Sequence, residues 1–64
     1  MRLIRLKVVI ESTGMARSTI YKYMSEGIFP KPVSLGVRSV AWVESEVQDW
    51  IISRVKHRDG YHRE

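Results

Sequence analysis

Five side chains that can donate hydrogen bonds lie close together in the first third of the chain: Arg17, Ser18, Thr19, Tyr21 and Lys22. Guanidinium and ammonium groups can contact phosphates or guanine edges, and hydroxyl groups can contact phosphate oxygens or base edges. Thr13 and Gly14 precede this group, and glycine often occupies the left-handed conformation that follows a helix end. The spacing is typical of a tight turn followed by a short helix with a basic, hydroxylated outer face. The alternative is an ordinary solvated helix face.

A second group of side chains able to bind phosphate flanks or forms a predicted β-hairpin: Lys31, Arg38 and Ser39. Residues 33–35 and 40–43 have the alternation of strands, and residues 36–38 are predicted to form the turn between them. A lone hairpin is marginally stable in water, so we expect it to pack against the helices through Trp42. The alternative is a solvated turn without a partner.

Two short helices are predicted to position the first group. They cover residues 6–12 and 17–26, because apolar side chains recur at helical spacing in both segments. Gly27 ends the second helix, and we expect the apolar side chains of Ile28 and Phe29 to fold back against the core. The inward-facing residues are Leu6, Val9 and Ile10 in the first helix and Ile20, Tyr23 and Met24 in the second.

A third helix is predicted to begin near Glu44 or Ser45, where Ser45 and Gln48 have the spacing of a capping box. Its inward-facing residues are Val47, Trp50, Ile51 and Val55. We expect Trp42 and Trp50 to pack in the core rather than stack on bases, because both follow the apolar periodicity of their elements. The cations Arg54, Lys56, Arg58 and Arg63 fit diffuse attraction to phosphate and a solvated tail equally well.

The composition indicates one small, basic domain. The chain has 64 residues, with 11 Lys plus Arg against 7 Asp plus Glu, a net charge of +4 and no cysteine. We expect a single domain over residues 1–57, followed by a polar, frayed tail over residues 58–64. This excess of basic over acidic residues favours a polyanionic partner. The lack of cysteine excludes disulfides and thiolate metal sites, and it fits a reducing cytosol.

Several functional classes are excluded at this stage. His57, Asp59 and His62 lack metal-binding spacing, so we expect neither a metal nor a cofactor. With no cysteine, both histidines near the C-terminus and no converging carboxylates, we do not expect an enzyme. The first residues lack the apolar region of a signal peptide, and no apolar run is long enough to span a bilayer. We therefore expect a cytoplasmic protein.

The order of elements predicts a winged helix-turn-helix: mainly α with a small β-hairpin. A strand or extended lead-in at residues 2–4 is followed by helix, turn, helix, two-stranded wing and C-terminal helix. In such a unit the second helix can enter the major groove of DNA.

Short stretches along nearly the whole chain also match a known family in order and spacing. They are Thr13-Gly14, Arg17-Ser18-Thr19-Ile20-Tyr21, Gly27-x-Phe29-Pro30-x-Pro32, Leu35-Gly36, Arg38-Ser39-Val40 and Trp42-x-x-x-Glu46-Val47-x-x-Trp50-Ile51. On these residues the chain resembles the AlpA family of prophage-type transcriptional regulators, relatives of small phage excisionases and of the DNA-binding head of MerR proteins. One departure is Ala16, where the family often has a capping Ser. Its loss typically costs ~1 kcal/mol, and Ser18 offers a shifted helix start.

The resemblance implies a sequence-specific, double-stranded-DNA-binding regulator of prophage or mobile-element genes, in the cytoplasm and associated with the nucleoid. An excisionase-like architectural role is included, and an integrase or RNA polymerase is a candidate protein partner. MerR-type relatives dimerise through a long extra helix that is not expected here, so we expect a monomer or weak dimer that binds DNA cooperatively. The alternative is a protein-interaction adaptor on the same fold, which would more naturally expose an apolar patch.

Overall fold

Three helices and three short strands make up the protein in a computed structural model, which describes residues 1–61. In chain order they are β1 (Leu3–Ile4), α1 (Leu6–Thr13), α2 (Arg17–Ser25), β2 (Val33–Gly36), β3 (Ser39–Val43) and α3 (Glu44–Tyr61). The predicted order of elements is confirmed, and the fold is mainly helical.

The predicted hairpin of β2 and β3 is present. β1 pairs with the other edge of β3, so the sheet has three antiparallel strands in the order β1-β3-β2, one more than the predicted two-stranded wing. Ile4 lies opposite Trp42 and makes β3 the central strand. On the other side Val33 lies opposite Ala41, and a bulge interrupts the pairing between Ser34 and Gly36. A third strand stabilises the hairpin, which would be marginal by itself.

A single apolar cluster holds the elements together. It consists of Ile4, Val9, Ile20, Phe29, Trp42 and Val47, all buried. The Trp42 side chain is fully buried, and its indole N–H donates a hydrogen bond to the Pro30 carbonyl oxygen at 3.0 Å. Trp50 is half-buried and packs edge-on against Phe29, with ring centroids 4.9 Å apart. The predicted core roles of both tryptophans are confirmed.

The turn between α1 and α2 has the predicted geometry. Gly14 adopts a left-handed φ of 72°, and its N–H donates to the Ile10 carbonyl oxygen at 2.8 Å. The Thr13 hydroxyl donates to the Val9 carbonyl oxygen and accepts a hydrogen bond from the Met15 N–H. These bonds satisfy backbone groups that a helix end leaves open, and Met15 packs onto the core.

The starts of α2 and α3 agree with the prediction, but the two predicted caps are absent. Ala16 is the N-cap of α2 and makes no side-chain cap bond, so Ser18 lies inside the helix and does not replace it as a cap. α3 begins at Glu44, which places Ser45 inside the helix, and the predicted capping box is therefore wrong. The N–H of Glu44 instead donates to the Arg2 carbonyl oxygen at 2.8 Å, which joins the helix start to the first residues of the chain.

Three further expectations differ from the structure. Phe29 is buried as predicted, but Ile28 is 51% exposed because only one of two adjacent side chains turns towards the core. Val55 is 43% exposed, since α3 has by then run past the apolar cluster. α3 also continues to Tyr61, so residues 58–61 of the predicted tail are helical. Residues 62–64 lie outside the described part, and the domain boundary itself stays a prediction.

Candidate nucleic-acid interface

The outer face of α2 carries most of the first predicted group. Ile20 is fully buried and Tyr23 and Met24 pack against the core, which fixes the rotation of the helix. At 3.6 residues per turn, the opposite side of the helix is then left to solvent. The exposed residues there are Arg17, Ser18, Tyr21, Lys22 and Ser25.

Thr19 lies at the margin of this face. It is only half-buried, which agrees with its position beside the inward-facing stripe of α2. Ser25 also shares the face, but its hydroxyl already donates to the Lys22 carbonyl oxygen at 2.7 Å. The face therefore offers two cations, a phenol and the hydroxyl of Ser18 as its main outward groups.

A surface depression joins α2 to the segment before β2. It is lined by Tyr21, Met24, Ser25, Lys31 and Pro32. Pro30 and Pro32 favour the extended backbone that carries the chain away from α2. The structure thus brings together Tyr21 and Lys31, one from each predicted group. Sequence reasoning did not select Ser25 for the site, although its spacing of four residues from Tyr21 places both on one side of a helix.

Arg38 and Ser39 lie at the opposite end of the hairpin from Lys31. Val37 and Arg38 form the turn between β2 and β3, four to five residues beyond Val33. At about 3.3 Å per strand residue this is roughly 15 Å from Val33 along the strand. Arg38 is exposed and has a left-handed φ of 58°, whereas Ser39 is half-buried. The structure therefore does not bring these two residues into the depression.

The segment from α2 to the end of the hairpin carries a net positive charge. Residues 17–43 contain four cations and one carboxylate, a net charge of +3. The cations are Arg17, Lys22, Lys31 and Arg38, and the carboxylate is Glu26. Within residues 1–61 the ion pairs join Arg2 to Glu44 and Arg58 to Asp59, so neither uses a cation of this segment. The segment can offer its full charge to a polyanion.

No group of three His, Asp or Glu side chains is placed to hold a metal ion within residues 1–61. His62, part of the set considered for a metal site, lies outside the described residues. In that same part of the chain, none of the helices has both the length and the apolar character needed to cross a membrane.

Comparison with known proteins identifies the family. Residues 2–55 match the family described as "Prophage CP4-57 regulatory protein (AlpA)". The chain is 44% identical over 61 residues to the "DNA-binding transcriptional activator AlpA" of Escherichia coli K12, covering 86% of this chain and 87% of that protein. It is also 44% identical over 61 residues to "Uncharacterized protein ORF88" of Enterobacteria phage P4, covering 94% of this chain and 69% of that protein. These matches confirm the resemblance seen in the sequence: the chain belongs to the AlpA family of prophage regulatory proteins.

Proposed function

We propose that this protein is a sequence-specific regulator of transcription that binds double-stranded DNA and controls prophage or mobile-element genes. The observation that carries the proposal is the outer face of α2, where Arg17, Ser18, Tyr21 and Lys22 are exposed directly after a Gly14 turn. The Escherichia coli relative is named a DNA-binding transcriptional activator, which supports the same activity here. Binding is stoichiometric, and the protein acts in the cytoplasm on the nucleoid.

The proposed binding mode is that of a winged helix-turn-helix. α2 enters the major groove, where its first residues contact base edges and the phosphates that fix the register. The hairpin of β2 and β3 is the wing, and it lies on the adjacent backbone or groove. The depression between Tyr21 and Lys31 supports this mode, because it sets a wing-side cation beside the recognition helix.

The residues take different roles in this mode. Arg17 and Tyr21 contact base edges or register-fixing phosphates, and Lys22 with the hydroxyls of Ser18 and Thr19 contacts phosphate oxygens or a base edge. The wing contributes Lys31, Arg38 and Ser39, which meet phosphate or a minor groove. We propose that the protein is a monomer or weak dimer in solution and becomes cooperative on adjacent DNA sites.

A protein-interaction adaptor is the second candidate, and one observation favours it. The hairpin exposes apolar side chains: Val33, Leu35, Val37 and Val40, with Val37 at 91%. The basic, hydroxylated outer face of α2 favours DNA instead. An apolar hairpin also fits a regulator that touches a second protein, such as an integrase or RNA polymerase, while it is bound to DNA.

The test is a DNA selection followed by footprinting and salt titrations of the selected operator. Four to six phosphate contacts predict that the logarithm of the binding constant falls with the logarithm of salt concentration with a slope of roughly −4 to −5. Lys22→Glu should abolish binding, whereas Lys7→Glu, an equal charge change on an exposed residue of α1, should only weaken it. A flat salt response of the unaltered protein would exclude DNA binding and leave the adaptor.

A further inference from the structure

We infer that the C-terminal half of α3 carries a second phosphate-binding surface, formed by Arg54 and Arg58, which contacts the DNA backbone beside the N-terminal end of α2. This inference rests on the proposed function. It concerns a helix segment that sequence reasoning assigned in part to a tail and that lies outside the recognition helix and the wing.

The course of α3 places this surface. Trp50 packs against Phe29 and lies 6.4 Å from Tyr23 between ring centroids, near the C-terminal end of α2. One turn further along, Arg54 and Val55 share a depression with the last two residues of α1, Ser12 and Thr13, with Met15 of the following turn and with Tyr23 of α2. That turn leads directly into Arg17. α3 therefore runs from Tyr23, in the C-terminal half of α2, towards the end of α1 and the turn that precedes α2. Arg58 follows one helical turn after Arg54.

The helical phase directs both arginines to one side. Val47 and Ile51 face the core, and Arg54 and Arg58 each follow one of them by seven residues, about two turns later on the same face. Past Ile51 the domain no longer covers this face, and both arginines are exposed. The core-facing side of α3 thus changes from apolar to cationic where the helix leaves the domain. Lys56 lies on the opposite face.

The charge along α3 is segregated in the same way. Glu44, Glu46 and Asp49 lie in its first half, whereas Arg54, Lys56 and Arg58 with Asp59 give its second half a net positive charge. The helix macrodipole favours such an arrangement by itself, but it acts equally on cations of every face. It does not account for the placement of Arg54 and Arg58 on the same face of α3, with Arg54 beside the turn. Arg54 is also held in place, with its guanidinium carbon 5.9 Å from the centre of the Trp50 ring.

These positions bracket the recognition helix. Lys31 lies beside the C-terminal half of α2, and Arg54 lies beside the end of α1 and the turn that precedes α2. A helix in the major groove runs between two phosphate-lined walls roughly 12 Å apart. From Ile51 to Arg58 the helix rises about 10 Å, which is enough for a long arginine side chain to reach a backbone flanking the groove. One wall is then contacted from the wing side and the other from α3.

The experiment compares two cations of the same helix that point in opposite directions. Arg58→Gln should lower the salt slope by about one unit and weaken binding roughly eightfold at 0.1 M salt, on operator and scrambled DNA alike. Lys56→Gln, with the same loss of charge, should change affinity less than twofold. Asp59→Asn should tighten binding, because Asp59 pairs with Arg58 at 2.8 Å and competes with phosphate. Circular dichroism checks that each variant is folded.

The outcomes separate this inference from the proposed function. If Arg58→Gln and Lys56→Gln weaken binding equally, the effect is one of net charge and the α3 surface is refuted while DNA binding stands. An unchanged or weakened affinity of Asp59→Asn also counts against the surface. If the unaltered protein shows no salt-dependent binding, both proposals fail. A twofold or smaller loss for Lys56→Gln beside the larger loss for Arg58→Gln supports a directed contact.

Discussion

At the scale of single residues, the proposed interface divides between a helix that can read sequence and a wing that can hold phosphate. Arg17 and Tyr21 are exposed on α2 directly after the turn, whereas Arg38 lies at the tip of the hairpin, roughly 15 Å along the strand from Val33. Groups in these two places meet different parts of a duplex. Replacing a residue of the helix should therefore change sequence specificity, whereas replacing a residue of the wing should change overall DNA affinity.

We expect Arg17→Ala or Tyr21→Ala to weaken operator binding more than nonspecific binding, because a good base contact is worth ~1–3 kcal/mol of discrimination. Arg38→Ala should weaken both similarly and lower the salt slope by about one unit. Paired titrations on operator and scrambled DNA measure the specificity ratio, that is, the affinity for the operator divided by the affinity for scrambled DNA. If both α2 variants leave the specificity ratio unchanged while Arg38→Ala abolishes it, the roles of helix and wing are reversed.

Arg38 also has a backbone conformation that favours glycine, with a φ of 58° in an exposed turn. A left-handed non-glycine residue costs ~1–2 kcal/mol, partly offset by the greater freedom that glycine has in the unfolded chain. Arg38→Gly should therefore raise stability by about 0.5–1 kcal/mol while it weakens DNA binding. Thermal melting and DNA titration of one preparation give both values. Arg38→Asn, which tolerates this φ without the charge, should weaken binding to the same extent, and intact binding by either variant would exclude a role for the guanidinium.

At the scale of elements, local features of the sequence were sufficient for the turn and for α2. Gly14 and the helical spacing of Ile20, Tyr23 and Met24 predict both, because each signal involves residues at most a few positions apart. The pairing of β1 with β3 was not predicted as a three-stranded sheet, since Ile4 meets Trp42 far along the chain. No local pattern specifies such a contact.

The ends of elements were less predictable for a related reason. Helical periodicity gives the rotation of α3 but not the point at which the domain ceases to cover it, so Val55 was expected inside and is exposed. The same holds for the length of α3, because Gly60 disfavours a helix by only ~1 kcal/mol and does not end this one. The candidate site was predictable where it lies on α2. The depression shared by Tyr21 and Lys31 depends on tertiary packing and was not.

The uncapped start of α2 leads to an element-scale prediction. Ala16 has an extended conformation, φ −71° and ψ 156°, and makes no side-chain cap bond. That conformation suits a capping hydroxyl, so Ala16→Ser should stabilise the protein by ~1 kcal/mol. Chemical denaturation measures the change. The control is Ser18→Ala at the second residue of the helix, which should not lower the free energy of unfolding through a lost cap. A loss of ~1 kcal/mol in this variant would show that Ser18 caps α2.

At the scale of the whole molecule, the apolar cluster draws one residue from nearly every part of the chain. β1, α1, α2, β3 and α3 each contribute one, and Phe29 adds the segment after α2. β2 contributes none of the buried members, so the hairpin depends on β3 for its attachment to the core. A core this small and this evenly shared should unfold in a single cooperative transition.

Trp42 is therefore expected to hold the whole domain together and not only the wing. It is fully buried, lies opposite Ile4 in the sheet and donates its indole N–H to the Pro30 carbonyl oxygen. Trp42→Ala should cost ~3–5 kcal/mol, which is about the entire stability of a domain of this size. Thermal circular dichroism should show loss of helix and sheet signals together. Val37→Ala, at a residue 91% exposed on the hairpin turn, should leave the melting temperature unchanged. A Trp42→Ala variant with a cooperative transition near the original temperature would show that the ring is not packed in the core, and it would return Trp42 to consideration as a base-stacking residue.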